Sequence, residues 1–110
     1  MARVLKREAA KRDLMAQWVW YSENADAEVA DRFLRAVETT LLELASQPGS
    51  GIPTTTAHDE LLGIRRFPVS DGFGKVLLFY MPLVDGVDLV RAVHGHREMD
   101  WLLSTGTRQN

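Results

Sequence analysis

Between Leu62 and Trp101, three short apolar segments follow one another with only turn-length connections: residues 64–69, 75–81 and 87–94. Connections this short join antiparallel neighbours, because a parallel pair needs a crossover of a dozen residues or more. The segments therefore read as an antiparallel meander, and a meander this small needs one face covered. Pro68 pushes the end of the first strand to an edge or a bulge. Ser70 to Gly74 forms the first turn. Residues 75–81 are a near-continuous apolar run and read as the most buried strand. Asp85-Gly86 between apolar flanks signals a type I′ hairpin. Each outer strand also carries arginine in its middle, as Arg65-Arg66 and Arg91. A mid-strand arginine is either tied into an ion pair or offered to an anionic partner.

The cover for the sheet lies upstream. In residues 8–22, Ala10, Leu14, Trp18 and Tyr21 recur at helical spacing on one face, with Met15 and Val19 widening it. Ser22-Glu23-Asn24 breaks the pattern. Asn24 is placed to cap a second helix, with Asp26 and Glu28 in its first turn, where negative charge suits the dipole. That helix has the clearest periodicity in the chain: Ala30, Phe33, Val37, Leu41 and Leu44 on one face, Leu34 beside them. Asp31, Arg32, Arg35, Glu38 and Glu43 form its polar face. Pro48-Gly49 stops it, and residues 47–60 read as a long loop. The short inter-helix connection makes an antiparallel helix hairpin. Residues 2–5 are a short strand, and residues 97–103 a short helix that returns Trp101 and Leu102 to the sheet. The fold class is α+β: an N-terminal strand and helix hairpin packed on an antiparallel sheet, β-α-α-β-β-β with a small C-terminal helix. One domain spans residues 1–103, and residues 104–110 form a polar tail.

Composition removes several functions. The 110 residues contain no cysteine, which excludes disulfides and thiolate metal sites. No apolar run reaches the about 18 residues that span a bilayer, and the opening residues lack the apolar segment of a signal peptide; a cytoplasmic location is expected. The net charge of −2 does not favour a large nucleic-acid footprint, which draws most of its affinity from basic excess. His94 and His96 stand two apart, but no third ligand has matching spacing, so no metal or cofactor is expected.

Several segments, in this order and spacing, resemble the ParE/RelE superfamily of type II toxins, and its ParE branch in particular. Glu23-Asn24-Ala25-Asp26-Ala27 followed by Arg32-Phe33-Leu34 is similar to the opening of the family's second helix. Gln47-Pro48-Gly49-Ser50-Gly51 is similar to its helix exit. Residues 62–69, with Arg-Arg-Phe-Pro, and Val93-His94-Gly95-His96-Arg97 are similar to its strand and closing motifs. The resemblance covers residues 2–103. One departure is Lys6-Arg7-Glu8 where the family often opens its first helix with Ser/Thr-Pro, which leaves that helix without an obvious cap.

The resemblance implies a toxin held inactive by a cognate ParD-like antitoxin. On the ParE side it implies inhibition of DNA gyrase by binding, with no catalytic residues. On the RelE side it implies ribosome-dependent mRNA cleavage, for which Arg65, Arg66, Arg91 and Arg97 would form the cationic site. Arg97 matches the family's post-strand arginine, and Arg65 and Arg66 lie near its strand lysines. Lys75 only neighbours the position of a further arginine, which Val76 occupies. Leu103 falls where RelE-like toxins carry a tyrosine, and leucine moves no proton. With the acidic net charge, this favours the ParE-like reading over the endoribonuclease. Arg65, Arg66, Arg91 and Arg97 are then expected to take carboxylates of a protein partner, which the planar guanidinium fork suits. Trp20, off the main apolar face, is expected to be an interface anchor.

Overall fold

The computed structural model describes residues 2–55 and 61–95. Arg97, the helix expected at 97–103 with Trp101 and Leu102, and the tail lie outside the described residues. The elements run β1 (Arg3–Lys6), α1 (Glu8–Asn24), α2 (Ala27–Ser46), a 3-10 turn at Pro48–Ser50, β2 (Ile52–Pro53), β3 (Arg65–Pro68), β4 (Val76–Leu83) and β5 (Gly86–His94). The sheet order is β1-β5-β4-β3-β2. The α+β architecture and the meander are as the sequence implies. The sheet itself is mixed, because β1 lies parallel to β5, with Val4 opposite Val87 and Lys6 opposite Leu89.

The expected face of α2 is the centre of the core. Ala30, Phe33, Val37, Leu41 and Leu44 are all buried, the last four in one cluster with Val76, Leu78 and Tyr80 of β4 and Val87, Leu89 and Ala92 of β5. Each fully buried Phe, Leu or Val of this set contributes about 1.5–3 kcal/mol from removal of its surface from water. Tyr21, Phe33 and Phe73 add a ring cluster with centroids 5.1–5.4 Å apart. Thr40 is the buried polar residue of α2. Its hydroxyl donates to Ala36 O at 2.7 Å and accepts from Ser70 N–H at 3.2 Å, which ties the helix to the β3–β4 turn.

Several local expectations are corrected. Asp26, not Asn24, caps α2: its carboxylate accepts from Val29 N–H at 2.9 Å, while Asn24 ends α1 and its amide donates to Trp20 O. Met15 and Val19 do not widen the buried face of α1 but stand exposed, because that face narrows to Ala10, Leu14, Trp18 and Tyr21. The 47–60 loop holds β2, which pairs with Arg65 and Arg66 only; this leaves Phe67 and Pro68 at the sheet edge, where proline costs no ladder bond. The second hairpin turns on Val84 and Asp85, and neither Asp85 nor Gly86 has the positive φ of a type I′ turn. Gly86 belongs to β5 and faces Arg3, whose backbone carbonyl occupies the space a Cβ would need. Gly95, with φ of 60°, makes the expected sharp exit from β5.

Strict alternation also fails in β5. Tyr80 pairs with Leu89 and Phe79 with Arg91, so Val90 is an extra residue between them. Val90 therefore joins the cluster of Leu61, Ile64 and Phe79 on the face away from the helices, while Ala92 lies among the helix-side residues. Arg91 sits beside this irregularity, at the border of the two faces.

Candidate functional site

The arginines expected to act together have separate surroundings. Arg65 faces the helix side, opposite Tyr80. Its guanidinium donates to Gly51 O at 2.6 Å and Gly49 O at 3.2 Å. The Tyr80 hydroxyl serves the same segment, donating to Pro48 O at 2.7 Å and accepting from Gly51 N–H at 2.8 Å. Burial pushes the ionisation of Tyr80 up, opposed in part by the Gly51 N–H bond and the charge of Arg65. Arg65 and Tyr80 thus clamp the chain where it leaves α2. Arg65 is occupied in holding the backbone carbonyls of Gly49 and Gly51.

Arg66 points to the other face. It pairs across the sheet with Phe79, which pairs in turn with Arg91. Two inter-strand spacings separate Arg66 from Arg91, about 10 Å, with the Phe79 ring between them. Arg66 is half-buried, and among the described residues its guanidinium has neither a hydrogen-bond nor an ion-pair partner.

Arg91 reaches α1. Its Nε donates to Asp13 Oδ2 at 2.6 Å and its terminal nitrogen to Asp13 Oδ1 at 3.0 Å, a bidentate pair. Asp13 Oδ2 also accepts from the backbone N–H of Ala92 at 2.9 Å. Sequence reasoning missed Asp13. The signal was present: an acid between Ala10 and Leu14, on the flank of the apolar face, had no partner within its own helix.

Asp13 stands where β1 has ended. β1 covers β5 only as far as Leu89, so among the described residues the outer edge of β5 from Arg91 to His94 has no neighbouring strand. α1 runs alongside instead, leaving a groove of about 570 Å³ lined by Asp13, Ala16, Gln17, Trp20 and residues 91–94. Trp20 forms its far wall. It is 51% exposed, meets Tyr21 edge-on at 5.1 Å and lies 6.3 Å from the His94 ring. Met15 and Val19 are exposed too, on the opposite flank of α1 from Trp20. Among the described residues no cluster of His, Cys, Asp or Glu could hold a metal ion, and no helix is long and apolar enough to cross a membrane.

Fold and site define a small α+β domain with an arginine-bearing sheet and a groove between α1 and the edge of β5, in the RelE/ParE-like arrangement. Among solved structures the chain is similar to the chromosomal ParDE toxin–antitoxin system from P. aeruginosa, with a TM-score of 0.69 and 15% identity over 87% of this chain and 98% of that one. No curated protein matches it. Residues 4–101 match the ParE toxin family of type II toxin–antitoxin systems, parDE, and the chain belongs to that family.

Proposed function

We propose that this protein is the toxin of a type II pair, neutralised by a cognate ParD-like antitoxin, and that it arrests growth by binding DNA gyrase. The observation that carries this reading is the family match over residues 4–101. Features of the fold support action by binding. Arg66 is a strand cation whose guanidinium has no partner among the described residues, and Trp20 is a half-exposed aromatic on the rim of a groove. An antitoxin segment laying an amphipathic helix along the groove would cover Trp20, and an acidic side chain would meet Arg66.

The alternative, ribosome-dependent mRNA cleavage, needs cations free to meet a phosphorane and groups that move a proton. Arg65 holds two carbonyls and Arg91 is paired with Asp13. These engagements weigh toward binding. Co-expression tests the toxin reading: the chain alone should stop growth, and a neighbouring antitoxin gene should relieve it. A supercoiling assay with purified gyrase tests the target; inhibition or a stabilised cleavage complex is expected. Unchanged gyrase activity together with codon-linked cuts in primer extension would instead establish the endoribonuclease. Trp20→Ala should weaken antitoxin binding at least about 30-fold, the loss of a hot-spot aromatic, with unchanged folding.

A further inference from the structure

Beyond Leu89, where β1 ends, the Asp13 carboxylate is the side chain that, among the described residues, bonds the outer edge of β5. Pairing with β4 fixes which backbone groups that edge presents. Val76 spends its carbonyl on Val69 N–H, and Gly95 N–H bonds back to Lys75 O. The Val76–His94 and Leu78–Ala92 pairs are therefore non-hydrogen-bonded, and the N–H and C=O groups of Ala92 and His94 point outward. Asp13 takes Ala92 N–H. His94 N–H and both carbonyls face the groove beside α1.

This short edge is self-complementary. An antiparallel copy of β5 placed with Val93 opposite Val93 brings Ala92 opposite His94 at both ends. Each such pair exchanges N–H and C=O reciprocally, the pattern of a two-fold isologous strand contact. Ala16 and Trp20 of α1 stand beside it in both copies. Asp13 blocks the arrangement: it uses the Ala92 donor in each copy and sets two carboxylates against each other across the axis.

We propose that Asp13 is an edge guard, a side chain in place of a missing strand, which prevents two copies of this chain from pairing through β5. Inward-pointing charge on an unpaired edge is a known way to prevent edge-to-edge association. The guard acts through the Ala92 N–H bond, and the Arg91 pair only positions the carboxylate. The proposal is independent of the cellular target.

Light scattering behind size exclusion, over a concentration series of the full chain, tests it. Wild type should remain a monomer, and Asp13→Ala should double in apparent mass as concentration rises. Asp13→Asn keeps an acceptor for Ala92 N–H and should remain a monomer. Asp13→Ala combined with His94→Pro should return to monomer, because proline removes an outward donor without breaking a β4 bond. A natively folded Asp13→Ala that stays monomeric, or a double variant that still dimerises, overturns the proposal. Should Asp13→Ala fail to fold, amide exchange on wild type decides: Ala92 should be protected and His94 should exchange rapidly, and the reverse order refutes the guard.

Discussion

Replacing Tyr80 by Phe removes one oxygen atom and leaves the ring packed in the core. That oxygen is the hydrogen-bond partner of Gly51 N–H and of Pro48 O, at 2.8 and 2.7 Å. Gly51 is buried, so its N–H loses its partner without gaining water. An unsatisfied buried donor costs about 1–3 kcal/mol, and the partly buried Pro48 carbonyl adds about 1 kcal/mol. The expected loss is therefore about 2–4 kcal/mol from a domain stable by about 5–15 kcal/mol. At this chain length it lowers Tm by about 8–16 °C. Thermal and urea denaturation followed by circular dichroism measure it, with an unchanged m-value. Arg65 holds the carbonyls of Gly49 and Gly51 in the same segment. Tyr80→Phe and Arg65→Met should thus be non-additive, with a coupling of about 0.5–3 kcal/mol. A Tyr80→Phe Tm within 2 °C of wild type, or strict additivity with Arg65→Met, would refute the clamp at the exit of α2.

Alkali should act on the same hydroxyl. Tyr80 and Tyr21 both have ionisation raised above 10.0 by burial, so the unfolded state releases these protons first. Their contribution is intact below about pH 10 and is lost as pH rises through the folded values; urea midpoints at pH 9 and 11 should fall less for the two Tyr→Phe variants than for wild type. Asp26→Ala should cost about 1 kcal/mol, a lost N-cap, while Asn24→Ala stays within about 0.5 kcal/mol, in paired thermal melts. Gly86→Ala drives a Cβ into the Arg3 backbone and should detach β1, read as lost amide protection at Arg3 and Arg7, whose N–H groups bond Asp85 O and Leu89 O.

The sequence was most legible where one period dominates. The face of α2 from Ala30 to Leu44 and the three meander strands are repeated patterns in which many residues agree. It was least legible where neighbouring residues compete for one role. Asn24 and Asp26 are both good caps, and only the entry angle of α2 chooses between them. Ile52-Pro53 carries too little pattern to announce a strand; β3 defines it by pairing. The bulge at Val90 displaces Arg91 from simple alternation, and no local signal in Leu-Val-Arg-Ala marks it. The same displacement brings Arg91 to Asp13, so the candidate site was readable as a set of arginines but not as a division of labour among them. The separation of Arg65 from Arg66 depends on which face meets the α2 exit, a tertiary fact.

The parallel pairing of β1 with β5 fixes the order in which this molecule can be completed. Arg3 meets Asp85, 82 residues further along the chain, so the first strand to be synthesised is the last to find its neighbour. Until β5 has emerged, β1 has no partner, and Arg7, where α1 starts, lacks the Leu89 carbonyl that anchors its N–H. Closing so long a loop is slow relative to local helix formation. A nascent chain therefore exposes the apolar flank of α1 well before its arginine-bearing sheet exists. For a chain of the ParE toxin family, the interval between synthesis and sheet closure is one in which α1 is accessible and the completed domain does not yet exist.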